Sequence, residues 1–322
     1  MLLLNKIIDL INEDLAKVEN SLKSVGEVQD NHLSELLGYA LGSGGKRIRP
    51  ALTLLTGKLY HYDLDCLLPM TAAIELLHTA TLVHDDVIDK AAVRRGRPTI
   101  NKVWGENKAV LLGDYVFARA GEFCASTGNL RVIKLFSQTL ATMAIGELNQ
   151  AFNAFNPEQT REHYFDRISK KTASLFVLAT ESGSILSQAP ERSVEILREY
   201  GHNLGIAFQI VDDILDFTGT EEELGKPAGS DLTQGTLTLP AMLLLQYCHE
   251  DNPIKRFFQD QGDLEKKKRV IELIRDSPIV QECYEVAASY CSRACQNLNL
   301  LPDSASRQAL IDLADYVVRR KK

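Results

Sequence analysis

The sequence predicts an all-α protein, a single large helical domain that extends over residues 1–322. Long segments carry apolar residues at three- and four-residue spacing, which is the pattern of a helix with one buried face. Signals for β-strands are scarce, and most of the ten prolines fall at the breaks between these segments. No linker rich in glycine, serine and proline divides the chain, so we expect helices joined by short turns.

The composition excludes several classes of protein. Hydrophobic residues make up 45% of the chain and charged residues 25%, which is an ordinary balance for a globular protein with a large core. The net charge of −7 leaves no basic footprint for nucleic acid. None of the six cysteines lies in a zinc-type pattern, so we expect free thiols in a reducing compartment and a cytoplasmic protein. The apolar start is interrupted at Asp9, which favours an amphipathic helix over a signal peptide, and we expect no transmembrane span of roughly 18 apolar residues.

The first 40 residues predict one or two helices that end near Gly42. A glycine-rich basic segment follows, with Lys46, Arg47 and Arg49 entering a new helix at Pro50. Glycines let the backbone turn tightly and approach a ligand closely. The segment is either a basic turn with a glycine cap or an anion site, and it matches neither the P-loop nor the dinucleotide pattern.

Residues 70–90 predict the central helix, which ends in a cluster of carboxylates. Asp85 and Asp89 lie only about 40° apart around a helix, with Asp86 beside them. Three carboxylates this close repel one another unless a cation lies between them, and hard oxygen ligands suit Mg²⁺. The alternative is a solvated acidic turn. His78 lies on the same face two turns earlier, as either a core histidine or part of the site.

Three basic residues are candidate phosphate ligands. Arg94 and Arg95 follow the first cluster in a loop, where they are either surface charge or two guanidiniums that grip phosphate. Lys171 enters a run of small and apolar residues within the helical segment 161–187, followed by Thr172. A cation that enters such a run is a candidate phosphate ligand.

Residues 107–152 predict two helices that separate near Gly128. The apolar stretch from Leu111 to Ala120 is expected in the core. Polar groups enter the second helix between Gly146 and Gln150, and we interpret them as part of the core packing.

The helix at residues 193–217 repeats the acidic pattern with Asp212, Asp213 and Asp216. Two copies far apart in sequence, each on an apolar helix, fit badly with solvated surface. If they face each other, they form a cage for several divalent cations and a diphosphate. Gln209 points toward the same site.

A loop follows the second acidic helix. With its glycines and proline, the segment from Glu221 to Asp231 predicts a lid that carries Lys226. The remaining residues, 236–322, predict helices with their charges on outward faces. The basic tail from Arg319 to Lys322 is interpreted as solvated surface.

Taken in order, these motifs resemble the trans-isoprenyl diphosphate synthase family, the head-to-tail polyprenyl transferases of medium and long chain length. The resemblance covers about residues 40–240, and each motif alone is weak. The motifs are Gly44–Pro50, Asp85-Asp86-x-x-Asp89, Arg94-Arg95-Gly96, Lys171-Thr172, Gln209-x-x-Asp212-Asp213-x-x-Asp216 and Gly225-Lys226-Pro227. One variant of the family pattern has a basic residue where this chain has Thr236, which weakens a phosphate contact there.

The resemblance implies a fold, an activity and residue roles. It implies mostly antiparallel helices around a deep central cavity, a homodimer, and Mg²⁺-dependent condensation of isopentenyl diphosphate with an allylic diphosphate through an allylic carbocation. The residues implied in catalysis are Asp85, Asp86, Asp89, Lys171 and Asp212, of which Asp85, Asp89 and Asp212 would bind Mg²⁺. Isopentenyl diphosphate would be held by Lys46, Arg49, His78 and Arg95, and the allylic diphosphate by Arg94, Lys171, Thr172, Gln209 and Lys226.

The product length depends on the helix wall behind the first cluster. Ala80 and Thr81, one turn back from Asp85, are small, whereas relatives with short products tend to have an aromatic floor there. The tail is therefore expected to pass toward Leu77, which predicts a product longer than fifteen carbons that partitions to membranes. One alternative is the catalytic subunit of a heteromeric synthase. A second is a terpene cyclase, but a cyclase would not need the basic segment at Lys46. A third is a non-catalytic subunit, in which the aspartates are expected to be eroded.

Overall fold

The computed structural model describes residues 7–42, 44–220, 227–248, 252–260 and 262–320. Within these ranges the chain is almost entirely helical, which confirms the all-α prediction. The helices are α1 (Asn12–Ser24), α2 (Asn31–Leu41), α3 (Ile48–Gly57), α4 (Leu64–Ile88), α5 (Ile100–Trp104), α6 (Glu106–Ala125), α7 (Leu130–Phe152), α8 (Arg161–Ile168), α9 (Ser174–Leu186), α10 (Glu191–Thr218), α11 (Ser230–Thr233), α12 (Leu239–Tyr247), α13 (Pro253–Gln259), α14 (Leu264–Arg275), α15 (Ile279–Cys295) and α16 (Ala305–Arg319). A π-helical segment (Ser169–Ala173) joins α8 to α9, a 3-10 turn (Leu298–Leu300) follows α15, and strands β1 (Val93–Arg94) and β2 (Arg97–Pro98) pair antiparallel.

The central helix α4 is longer than predicted. It begins at Leu64 because Asp63 caps it, accepting a hydrogen bond from the backbone N–H of Asp65. Pro69, which we expected at the break, lies inside the helix. Contrary to our expectation, α4 is long and apolar enough to cross a membrane by length and composition, but most of its apolar stretch is buried inside the protein, as in a core helix.

Helix α10 connects two apolar cores. Its first half, with Leu197 and Leu204, belongs to the core built from α1 to α7, α9 and α16. Its second half, with Ile210 and Ile214, belongs to the core built with α8 and α11 to α15. The second aspartate cluster therefore lies on a helix that contributes to both cores.

The π-helical segment is held between two close helix contacts. A Cβ on Gly205 of α10 would lie 2.5 Å from the Cα of Ala173, and a Cβ on Gly146 of α7 would lie 3.0 Å from the backbone nitrogen of Lys171. Only glycine permits both approaches without displacement of the segment. The contacts fix the backbone that carries Lys171 and Thr172.

One prediction about the core is wrong. The stretch from Leu111 to Ala120 was expected to be buried, but Leu111 is 67% exposed and Asp114 is exposed, while Leu112, Val116 and Ala120 are buried. Helix α6 packs against α4 with one face only. Its other face is exposed and carries Leu111 together with charged residues such as Asp114.

Candidate active site

The first aspartate cluster lies at the C-terminal end of α4 and its three carboxylates point to different partners. Asp85 and Asp89 are half-buried, whereas Asp86 is 5% exposed and accepts a hydrogen bond from Nε of Arg94 at 2.7 Å. Burial raises the pKa of Asp86 and of Asp89, and Arg94 opposes the increase at both. Asp85 and Asp89 thus remain the more exposed pair. Asp86 ties the end of the helix to the hairpin of β1 and β2, called the basic hairpin below.

Lys171 faces this pair from the π-helical segment. Its Nζ lies 2.5 Å from Oε1 of Glu147 on α7. Burial opposes protonation, but the charges of Asp85, Glu147 and Asp89 outweigh it and raise the pKa of Lys171. The ammonium is therefore charged and available to a phosphate beside Asp85 and Asp89. π-Helical segments of this kind occur frequently at functional sites.

The second aspartate cluster exposes one of its carboxylates. Asp213 is buried and accepts hydrogen bonds from the hydroxyl of Tyr164 at 2.7 Å and from Nε2 of Gln209 at 2.8 Å. Asp216 is buried and accepts from Oγ of Ser230 at 2.8 Å. The side chain of Asp212 is 42% exposed. Asp212 is therefore the most exposed carboxylate of this cluster, and its role as a metal ligand stays a prediction.

Asp213 and Gln209 belong to a chain of hydrogen bonds that connects the second aspartate cluster to the π-helical segment. Burial, together with the charge of Asp231, raises the pKa of Asp213 to about 7, although Tyr164 and Gln209 oppose the increase. The amide oxygen of Gln209 accepts a hydrogen bond from the hydroxyl of Thr172 at 2.6 Å. Gln209 thereby joins α10 to the π-helical segment.

Three cations, Lys46, Arg49 and Arg320, lie near Asp212. Burial lowers the pKa of Lys46, assisted by Arg320 and Arg95, while Asp212 opposes the change. Burial also lowers the pKa of Arg49 to about 10, and the charges of Glu75 and Asp212 oppose it. Among the residues that the structure describes, Nε of Arg49 is buried without a hydrogen-bond partner. Buried guanidinium and ammonium groups of this kind are suited to bind an anion.

His78 and Arg95 lie near the same cations. Burial and the charges of Arg49, Arg95 and Arg94 lower the pKa of His78 well below its ordinary value, so its imidazole is neutral. Arg95 is exposed, has a left-handed backbone with a φ of 51°, and donates a hydrogen bond from Nη1 to the carbonyl of Gly44. That contact fastens the basic hairpin to the glycine-rich segment. His78, Arg95 and Glu75 also line a cleft between α2, α4 and the hairpin.

Sequence reasoning missed the role of Arg320, which follows α16. We had interpreted the basic tail as solvated surface, but Arg320 is 6% exposed and its Nη2 lies 2.7 Å from Oδ1 of Asp212. Its guanidinium also stacks on the ring of Phe208, 3.7 Å from the centroid. Nothing in a run of four basic residues indicates which one turns inward.

Sequence reasoning also missed Glu147. We had assigned the polar groups from Gly146 to Gln150 to core packing, whereas Glu147 forms the ion pair with Lys171. A glutamate next to a glycine in an apolar helix was the available signal. The role of this glutamate could not be recognised from the sequence, because the sequence does not show which segment packs against α7.

The two clusters share one electrostatic environment. The charge of Asp231 contributes to the raised pKa of Asp89, and the backbone N–H of Asp231 donates to Asp216. Lys171 joins the first cluster to the π-helical segment, and Thr172 joins that segment to Gln209 on the second. The two acidic patterns therefore face the same part of the molecule.

The donor set suits a divalent metal that brings further ligands. In the described part of the chain, no group of three or more His, Cys, Asp or Glu side chains is placed to hold a metal ion. Carboxylates of Asp85, Asp89 and Asp212 are hard oxygen donors, and Mg²⁺ commonly completes its shell with water and substrate phosphate. The residues fit Mg²⁺ if a diphosphate lies between the clusters.

The predicted chain-length residues lie behind the first cluster. Thr81 is half-buried on the face that carries Asp85, whereas Ala80 and Leu77 are fully buried in the core. The expected path of the tail toward Leu77 stays a prediction. Lys226, predicted to contact the allylic diphosphate, lies outside the described residues.

Comparison with known proteins places these features in context. A family model described as polyprenyl synthetase matches residues 30–274. Heptaprenyl diphosphate synthase component 2 of Geobacillus stearothermophilus is 39% identical over 320 residues, which cover 98% of this chain and 99% of that protein.

Solved structures give the same result. A polyprenyl synthase from Caulobacter crescentus CB15, complexed with calcium and isoprenyl diphosphate, has a TM-score of 0.95 and 33% identity, covering 99% of this chain and 98% of that one. A heptaprenyl diphosphate synthase from Staphylococcus aureus has a TM-score of 0.93 and 37% identity, covering 97% and 99%. The similarity extends over nearly the whole length of each pair.

Proposed function

The chain belongs to the polyprenyl synthetase family, and on that premise we propose that its two aspartate clusters act together on an allylic diphosphate with the help of Mg²⁺. The chain is a prenyltransferase, a trans-polyprenyl diphosphate synthase whose product is longer than fifteen carbons. The observation that carries the proposed site is the charge arrangement: Lys171 faces Asp85 and Asp89, while Lys46, Arg49 and Arg320 surround Asp212.

The open carboxylates support a metal-dependent reaction. We assign Asp85, Asp89 and Asp212 as the metal-binding residues. Bound Mg²⁺ would neutralise charge on the diphosphate as it departs. The calcium complex of the Caulobacter crescentus relative supports divalent-metal binding in this fold.

We assign a separate set of residues to the diphosphate of each substrate. Lys171, Thr172, Gln209 and Arg94 are assigned to the allylic diphosphate, together with Lys226. Lys46, Arg49, His78 and Arg95 are assigned to isopentenyl diphosphate. The unpaired Nε of Arg49 and the neutral imidazole of His78 are donors that suit phosphate oxygens.

The reaction then needs no protein nucleophile. The bond between the allylic carbon and the diphosphate oxygen breaks, and Lys171 stabilises the charge that develops on the leaving group. The double bond of isopentenyl diphosphate attacks the allylic cation and forms the new carbon–carbon bond. Transfer of a proton from the resulting cation to the departed diphosphate restores an alkene. The apolar walls of the surrounding helices keep water from quenching the cation.

A row of exposed apolar side chains supports the proposal that the partner is a second copy of the chain. On α7, the side chains of Ile145, Leu148 and Phe152 are 49%, 56% and 83% exposed and recur at helical spacing. Leu111 on α6 adds a fourth. We propose a homodimer of cytoplasmic, single-domain subunits. The alternative is a heteromer with a different polypeptide, because the Geobacillus stearothermophilus relative is named "component 2".

Product sizing tests the proposal. The purified chain is incubated with isopentenyl diphosphate, one allylic starter at a time and Mg²⁺, and the products are separated by chain length. We expect stepwise elongation that a chelator abolishes, and starter-dependent rates.

Other outcomes identify the alternatives. A hydrocarbon formed from the allylic diphosphate alone would indicate a cyclase. Activity that requires a second polypeptide would identify the chain as the catalytic half of a heteromer. No elongation under either condition would contradict the proposed function.

A further inference from the structure

Lys171 lies in a position where it could compete with the metal. It is a flexible side chain whose ammonium is attracted to both Asp85 and Asp89. Those carboxylates are the proposed metal ligands. A lysine that folded onto them would occupy the place of the cation and leave none of its donors for a phosphate.

Glu147 provides a separate anchor for that ammonium. Its Oε1 lies 2.5 Å from Nζ of Lys171, and both side chains are about one quarter exposed, at 25% and 27%. Glu147 belongs to α7, not to α4, so it draws the ammonium from a different direction than the aspartates do. The neighbouring Lys170 has another partner, Asp166, at 2.7 Å.

The backbone beside Glu147 makes this anchor rigid. Gly146 lets α7 approach the π-helical segment so closely that a Cβ there would lie 3.0 Å from both the Cβ of Lys170 and the backbone nitrogen of Lys171. The anchor and the lysine are therefore attached to backbones in direct contact.

We propose that Glu147 is a positioning residue, which holds Lys171 beside the first aspartate cluster without letting it occupy the metal position. An ammonium has three donors, so one can remain on Glu147 while the others turn to a diphosphate. Once a metal neutralises Asp85 and Asp89, Glu147 is the remaining anionic partner of Lys171. This inference rests on the proposed function of the site.

A double-mutant cycle tests the proposal on the full-length protein. Glu147→Gln, Lys171→Met and the double variant are compared with the unmodified chain. Binding of inorganic pyrophosphate in the presence of Mg²⁺ is measured by calorimetry, and kcat and KM for the allylic diphosphate by steady-state assay. Glu158→Gln is the matched control, because Glu158 pairs with Lys255 at 3.0 Å on the surface.

We expect Glu147→Gln to weaken pyrophosphate binding about tenfold, within the range of coupling between contacting residues. KM for the allylic diphosphate should rise in parallel, with an unchanged melting temperature, and Glu158→Gln should have no effect. In the Lys171→Met background, Glu147→Gln should cause no further loss.

Three results would overturn the inference: no loss with Glu147→Gln, an equal loss in the Lys171→Met background, or a loss accompanied by a lower melting temperature. Failure of the unmodified chain to elongate any starter is a different result. It would remove the proposed function itself, independently of the cycle.

Discussion

Cationic residues that are close in sequence have different tasks in this protein. Arg47 forms ion pairs with Glu19 and Glu75 and so fixes α1 and α4 to the start of α3. Two residues later, Arg49 faces Asp212 with an unpaired Nε. Arg319 is exposed, while Arg320 is buried against Asp212. Charge type alone therefore does not identify the residues of the proposed anion site.

Arg320→Gln tests the assignment of this buried arginine to the site. Removing one of the cations around Lys46 and Arg49 should weaken binding of isopentenyl diphosphate. A hydrogen bond to a charged group contributes roughly 1.5–3 kcal/mol, so KM for this substrate should rise about tenfold or more. The effect on KM for the allylic diphosphate should be smaller, as measured by steady-state kinetics.

The neighbouring Arg319 provides the control. Its side chain is 78% exposed and lies 3.6 Å from Asp315. Arg319→Gln should leave both KM values unchanged. Equal behaviour of the two variants would show that Arg320 has no special role in substrate binding.

At the residue scale, the sequence predicted the open carboxylates better than their neighbours. The spacing of Asp85 and Asp89 is a local property of a helix and was sufficient to place them together. Arg320 and Glu147 depend on which distant segments meet, since α16 and α7 reach the site only through tertiary packing. Local pattern could not reveal either contact.

At the scale of elements, helix positions were predictable and helix irregularities were not. The two aspartate helices were expected at residues 70–90 and 193–217 and occur at Leu64–Ile88 and Glu191–Thr218. The π-helical segment was not foreseen, because it is defined by the close approach of Gly146 and Gly205 from neighbouring helices. Apolar spacing likewise could not distinguish the buried face of α6 from the exposed one.

One carboxylate ties helix α1 to the connection between α3 and α4. Asp14 accepts a hydrogen bond from the hydroxyl of Tyr62 at 2.7 Å and pairs with Nζ of Lys58 at 2.9 Å, and its side chain is 13% exposed. Burial opposes ionisation, but the hydrogen bonds of Tyr62 and Lys58 outweigh it and lower the pKa of Asp14. A lowered pKa means that the ionised form stabilises the fold.

Asp14→Asn should therefore lower the free energy of unfolding by about 1–3 kcal/mol near neutral pH. The stabilisation in the unmodified chain is complete above the ordinary pKa of 3.8 and is lost as the pH falls through the lower folded-state value. Urea unfolding at several pH values measures the difference. Asp9→Asn, at an exposed position, is the control; a difference between Asp14→Asn and the unmodified chain that stayed constant with pH would contradict the account.

Product length should depend on the face of α4 that carries the metal ligands. Thr81 lies on this face and is half-buried, so Thr81→Tyr should shorten the product by placing a ring in the path of the tail. Ala80 is fully buried, so Ala80→Phe should mainly overpack the core and cost about 1–3 kcal/mol of stability. Product sizing and thermal unfolding separate the two effects. An unchanged product profile with Thr81→Tyr would contradict this path.

At the scale of the whole molecule, the site lies where the two apolar cores meet. Helix α10 belongs to both cores and carries Asp212, while α4 in the first core carries Asp85. Helix α16 packs on the first core and delivers Arg320 to the second cluster. The sequence predicted the class of fold, and the binding of one diphosphate between the two clusters stays a prediction. The sequence could not predict that Arg320, after α16, lies against Asp212.

The row of exposed apolar side chains on α7 predicts the oligomeric state. Leu148→Glu places a charge in the centre of the proposed interface and should convert the dimer to a monomer, as measured by light scattering after size-exclusion chromatography. Leu264→Glu is the control, since Leu264 is 76% exposed on α14. A dimer that persists in Leu148→Glu would exclude this surface as the interface.

The central claim is that the two aspartate clusters hold one diphosphate between them through shared divalent metals. Its most direct test is anomalous scattering from Mn²⁺ in crystals grown with an unreactive thio-diphosphate analogue of the allylic substrate. The account predicts Mn²⁺ peaks beside Asp85 and Asp89 and a further peak beside Asp212, all in contact with the same diphosphate. Metal confined to one cluster, or a diphosphate bound away from both, would contradict it.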